Sequence, residues 1–229
     1  CDSVLSSISI SGSDITNINS LSNITSVANE VFIASNPVLL NIDGLVGLTS
    51  VGSLSIGSSY YYCCGPSQGS NALITNIDGL INLISVEGSL TIGGYGGGNP
   101  ALTNLDGLGS LTSVGGSLNI QTDGYDPYTG QSTGAGLLTN LDGLVSLTSV
   151  GGDFSVNSNS SLTNLDGLGS LTSVGGLSIQ QNSALTDLDG LSGLTSVDSD
   201  PNVYAQGNLY IQSNNALTHL DGLIALTNV

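Results

Sequence analysis

The sequence predicts an all-β solenoid of about eight repeats, with a parallel sheet and little or no α-helix. Three observations lead there. Asp-Gly-Leu recurs at Asp43, Asp78, Asp106, Asp142, Asp166, Asp189 and Asp221, each time inside a stretch close to Leu-Thr-Asn-Leu-Asp-Gly-Leu-x-x-Leu-Thr-Ser-Val. The aspartates lie 35, 28, 36, 24, 23 and 32 residues apart, so a unit of 23 to 24 residues is lengthened at intervals by insertions. The repeat is rich in Gly, Ser, Thr and β-branched residues and too poor in helix formers to sustain α-helix. A unit of this kind cannot bury its apolar face alone, so the units stack, and residues 1–229 read as a single domain with insertions at 57–70, 93–98, 121–136 and 198–208.

Each unit opens with an apolar-x-apolar step, such as Leu118-Asn119-Ile120, whose period of two predicts a short strand with both apolar side chains inward. Five residues past the strand opening an asparagine recurs, at Asn36, Asn159, Asn182 and Asn214, with Asn71 and Asn99 in the same place after insertions. A column of stacked, buried amides is expected there, pairing backbone groups that an irregular corner leaves unpaired. The fifth unit lacks this asparagine and the first has Ser13, so both are expected to be less regular.

The period then changes to three. The seventh unit carries Leu177, Ile179, Leu185, Leu188, Leu191, Leu194 and Val197 as its inward set, and the sixth matches it from Phe154 to Val174. Turns and 3₁₀ pieces are expected along this stretch. Asp-Gly predicts a tight turn in which Gly takes positive φ and Asp accepts a hydrogen bond from the N–H two residues on. The Gly-Gly pairs at Gly115, Gly151 and Gly175 mark a further corner.

Strand, asparagine and spaced leucine together, as in Leu177-Ser178-Ile179-Gln180-Gln181-Asn182-Ser183-Ala184-Leu185, resemble leucine-rich repeats over nearly the whole chain. The flavour Leu-Thr-Ser-Val-Gly-Gly-x-Leu-x-Ile is also similar to the receptor L-domain. The resemblance implies a β-helix-like coil with a parallel sheet on one face, and a role in interaction or scaffolding. The chain departs from the family in lacking a convex helix and cysteine-rich caps.

Composition limits the partners. There is no Lys or Arg against 17 acidic residues, so nothing neutralises phosphates or anionic headgroups, which excludes nucleic acid and acidic membranes as direct partners. No apolar run approaches the roughly 18 residues of a transmembrane helix, although mean hydropathy is positive at +0.28. Few charges and many hydroxyls and amides point to an extracellular or cell-surface setting, with solubility aided by attached sugar.

Two sequons supply glycosylation candidates, Asn23-Ile24-Thr25 and Asn159-Ser160-Ser161, although Asn159 also belongs to the predicted buried column, where a glycan does not fit. Cys1, Cys63 and Cys64 leave one thiol over after any intrachain disulfide. The open alternatives are a bond to another chain, a vicinal Cys63–Cys64 bridge, or Cys1 as the lipid-bearing first residue of a bacterial lipoprotein.

The first three insertions follow the strands of consecutive units and hold Tyr60, Tyr61, Tyr62, Tyr95, Tyr125 and Tyr128. Stacking gathers them into one lobe, and clustered Tyr with Gly and Ser reads as an interface or a sugar-binding surface. The fourth insertion carries Tyr204.

No catalytic constellation stands out. The single His219 falls in the column of Asn104, Asn140, Asn164 and Asp187, where it reads as a surface substitution. No zinc site or phosphate cradle is visible, and no cofactor is expected. The Asp-Gly carboxylates align at about one strand spacing, near 5 Å, where neighbours in water repel by about 0.8 kcal/mol. The Gly-rich nonapeptide of calcium-binding β-rolls is absent, so calcium is the less favoured reading of that column.

Two functions follow as expectations. One is a structural filament or sheath subunit that partners itself by head-to-tail stacking of uncapped solenoids. The other is a surface adhesin whose Tyr lobe binds glycan or protein.

Overall fold

The computed structural model describes residues 4–57, 70–95, 98–126, 131–134, 136–198 and 208–229. Twelve strands form one sheet: β1 (Val4–Ile10), β2 (Ser26–Ile33), β3 (Ser50–Ile56), β4 (Ser85–Val86), β5 (Leu90–Tyr95), β6 (Ser113–Val114), β7 (Leu118–Asp126), β8 (Gln131–Gly134), β9 (Ser149–Asn157), β10 (Ser173–Gln180), β11 (Ser196–Val197) and β12 (Leu209–Gln212). Eleven of these pair in parallel, and β8 folds back antiparallel on β7. Where the corner after Ser-Val interrupts a strand, the two halves keep pairing with the same neighbour, as β4 and β5 both do with β3.

Between strands the described residues make eight 3₁₀ turns, at Asn19–Leu21 and then at each Asp-Gly-Leu from Asp43–Leu45 to Asp221–Leu223. Among the described residues there is no α-helix. Consecutive 3₁₀ turns lie against one another, so the turn segments stack from unit to unit as the strands do.

The inward pattern is realised as expected. Phe154, Val156, Leu162, Leu165, Leu168, Leu171 and Val174 are buried, as are their counterparts from Leu177 to Val197, in one cluster that runs back to Ile10. In the last unit Leu209, Ile211, Leu217, Leu223 and Leu226 are only partly buried, and Leu220 and Val229 are exposed.

The reason for glycine in Asp-Gly-Leu differs from the expected one. Among the described residues positive φ occurs at Gly57, Gly93, Gly94 and Gly98, and at no glycine of the Asp-Gly motif. The constraint is instead a neighbour: a Cβ added at Gly44, Gly79, Gly107, Gly143, Gly167, Gly190 or Gly222 would fall well inside 3.0 Å of the carbonyl oxygen of Ile18, Ile42, Ile77, Leu105, Leu141, Leu165 or Leu188, in the coil before. The hydrogen bond predicted at Asp also runs differently. The acceptor is the Asn two residues earlier, so Asp106 N donates to Asn104 Oδ1 at 3.1 Å and Asp166 N to Asn164 Oδ1 at 3.2 Å. The 3₁₀ bonds close the turn, with Leu108 N donating to Leu105 O at 2.8 Å.

Two threonine ladders hold the turns of neighbouring coils. Thr172 N donates to Thr148 O and Thr195 N to Thr172 O, each at 2.9 Å, and the hydroxyls add parallel bonds, Thr172 Oγ1 to Thr148 O at 3.1 Å and Thr195 Oγ1 to Thr172 O at 3.0 Å. Thr139, Thr163, Thr186 and Thr218 form the second ladder in the same way. The hydroxyls thereby point a polar, uncharged surface to solvent.

Candidate functional site

The asparagine column is the most ordered polar feature. Asn36, Asn71, Asn99, Asn159 and Asn182 are all fully buried. Each Nδ2 reaches a strand carbonyl of the preceding coil, including Asn71 to Ile33 O at 2.8 Å, Asn99 to Ile56 O at 2.9 Å and Asn182 to Val156 O at 2.8 Å. Past Asn36, each Oδ1 accepts from the residue one coil back: Asn36 N donates to Asn71 Oδ1 at 3.2 Å, Asn71 Nδ2 to Asn99 Oδ1 at 3.3 Å and Asn159 N to Asn182 Oδ1 at 3.0 Å. The residue just before the column sits at positive φ at Ser35, Ser158, Gln181 and Ser213, a left-handed turn that costs about 1–2 kcal/mol for a non-glycine residue and is held by these bonds.

Both expected irregularities are found. In the fifth coil Thr122 takes the asparagine's part, its N and Oγ1 donating to Asn159 Oδ1 at 2.8 and 2.9 Å. Beside it the buried Asp123 accepts from Gly136 N at 2.6 Å and from Ser160 N at 3.1 Å, tying the ends of the third insertion to the next coil. In the first coil Ser13 offers no amide, and the buried Asn36 Oδ1 has no partner.

This geometry corrects one glycosylation candidate. Asn159 is buried, and its Nδ2 donates to Ile120 O at 3.0 Å and to Asn157 O at 3.2 Å. A glycan on that nitrogen would replace those bonds and has no room, so Asn159 acts as a column residue. Asn23 is exposed beside the first 3₁₀ turn and is open to modification.

The tyrosine lobe is placed only in part. The backbones of Tyr95 and Tyr125 are register partners where β5 and β7 run on past the repeat. Tyr60, Tyr61, Tyr62, Tyr128 and Tyr204 lie outside the described residues, as do Cys1, Cys63 and Cys64. His219 Nδ1 lies 3.6 Å from Asp221 Oδ2, and both side chains are exposed. Among the described residues no three carboxylates, histidines or cysteines gather where a metal ion would be held, and no helix is long and apolar enough to cross a membrane.

What the strands present outward is a candidate surface that the repeat pattern alone did not single out. One column crosses the sheet in register: Ser9, Phe32, Ser55, Thr91, Asn119, Ser155, Ser178 and Tyr210. Ser55 is buried, whereas the others keep some exposure. At one end of the column Asp153, Ser155, Ser178, Gln180, Asn208 and Tyr210 line a hollow of about 250 Å³. The signal for Tyr210 was the alternation itself, because Leu209-Tyr210-Ile211 is an apolar-x-apolar step whose middle residue must face out. Comparison with protein-family models, curated proteins and solved structures finds no match to this chain.

Proposed function

We propose that this chain is a non-catalytic solenoid scaffold of the leucine-rich-repeat kind, displayed outside the cell, which recognises a neutral polar partner through the outward face of its parallel sheet. The supporting observation is the column from Ser9 to Tyr210. It offers hydroxyls, an amide and two aromatic rings on a rigid sheet, with no Lys or Arg anywhere in the chain. A partner of that chemistry is a glycan or a hydroxyl-rich protein surface, and the exposed sequon at Asn23 fits the same setting.

The alternative, a filament grown by head-to-tail stacking, meets a specific obstacle. Ser20 occupies in the first 3₁₀ turn the place that glycine holds in the seven later turns. A coil added there in the same register would press its carbonyl onto the Ser20 side chain. A glycan array probed with the full chain, together with size-exclusion chromatography, tests the choice. A monomer that binds neutral glycans supports recognition, and filaments without glycan binding contradict it.

A further inference from the structure

We propose that the hollow beside Tyr210 is a binding site for a single neutral sugar ring. This rests on reading the sheet face as a recognition surface and names its ligand. The hollow of about 250 Å³ falls just below the roughly 300–1,000 Å³ of sites for drug-sized ligands. It therefore suits one ring rather than a long chain.

Its chemistry selects that ring. Tyr210 is 50% exposed in β12, in register with Ser178 of β10 and, one strand further, Ser155 of β9. A half-exposed aromatic ring provides a flat apolar platform with a polar tip, suited to the C–H face of a pyranose. Next to it the polar groups are already ordered. Gln212 Nε2 donates to Gln180 Oε1, Gln180 Nε2 donates to Ser178 Oγ at 2.6 Å, and Ser178 Oγ donates to Asn157 Oδ1 at 3.2 Å. Groups held in this way lose little freedom when a ligand arrives.

Asp153 supplies the acceptor. Its carboxylate lies over Gly176, where an added Cβ would fall inside 3.0 Å of Oδ1, so glycine at 176 is what lets the carboxylate reach across β10. A carboxylate lining the hollow can accept from sugar hydroxyls, and hydrogen bonds to a charged acceptor are the stronger kind. The same charge sets the sign of the ligand. With Asp153 in the site and no basic residue in the chain, a sulfated or carboxylated sugar finds repulsion and no counter-charge.

The test uses the full chain and the methyl glycosides of glucose, galactose, mannose and N-acetylglucosamine, with a sulfated glycoside as the anionic arm, read by saturation-transfer NMR and calorimetry. At least one neutral glycoside is expected to bind saturably. Tyr210→Ala and Asp153→Asn should each weaken it about tenfold, or 1.4 kcal/mol, with melting temperatures unchanged and with Tyr210→Phe near wild type. Stronger binding of the sulfated glycoside, or saturable binding by none of the four neutral ones, overturns the site. Array binding that survives Tyr210→Ala and is lost on Thr91→Ala also overturns it while leaving the wider face reading intact.

Discussion

The Cα of Gly44 lies beneath the carbonyl oxygen of Ile18 in the coil before it, so close that a single added carbon would intrude on the backbone. The same relationship recurs from Gly79 over Ile42 to Gly222 over Leu188, and it sets how tightly the coils nest. It yields a position-specific prediction. Gly167→Ala, whose Cβ would collide with Leu141 O, should destabilise the chain by about 1–3 kcal/mol through overpacking. Ser20→Ala, at the matching but open position, should stay within about 0.5 kcal/mol. Thermal or urea unfolding of the two variants checks the contrast, and equal effects would remove the proposed constraint.

The asparagine ladder gives a second pair. Asn182→Ala removes the donor to Val156 O and the acceptor for Asn159 N, leaving buried backbone groups unpaired, so a loss of about 2–4 kcal/mol is expected. Ser13→Asn should act in the opposite sense, because it places an amide donor where the buried Asn36 Oδ1 lacks one, for a gain of about 1 kcal/mol. Denaturant midpoints at constant m-value are the readout.

Leu165 and Asn182 were legible in the sequence because a fixed period puts them on one side of every coil, and that period survives the insertions. The role of Gly167 was not, since a positive-φ turn and a close approach leave the same mark in a sequence. Only the placement of Leu141 one coil back separates them. Tyr210 is hidden among the outward strand positions, which vary from coil to coil and carry no repeat signal, whereas the insertions concentrate tyrosines visibly. Thr122 standing in for asparagine was likewise hidden, since its hydroxyl and N–H do the work of an amide from one residue earlier in the chain.

Asp123 joins the base of the third insertion to the coil that follows. Asp123→Ala should release Gly136 N and Ser160 N, which the carboxylate now accepts from. Faster amide exchange is expected at Gly136 and Ser160, with Leu165 and Leu188 unchanged, because a local clamp and not the core is lost. Uniformly faster exchange would show that Asp123 supports the whole stack instead.

Glycosylation separates the two sequons. Expressed in a host that modifies Asn-x-Ser/Thr, the chain should gain one N-glycan, at Asn23, and Asn23→Gln should abolish the mass increment. A glycan recovered on Asn159 from folded protein is incompatible with the bonds that Asn159 makes to Ile120 O and Asn157 O.

Successive coils lie in parallel register, each leucine set upon the last. Through-space NMR contacts read that register residue by residue. Cross-peaks should link Leu118 to Phe154, Phe154 to Leu177 and Leu177 to Leu209, with Ile120, Val156, Ile179 and Ile211 linked in the same order. Contacts that join these residues out of register, or the sequential amide pattern of α-helix running through the Asp-Gly-Leu segments, would contradict it.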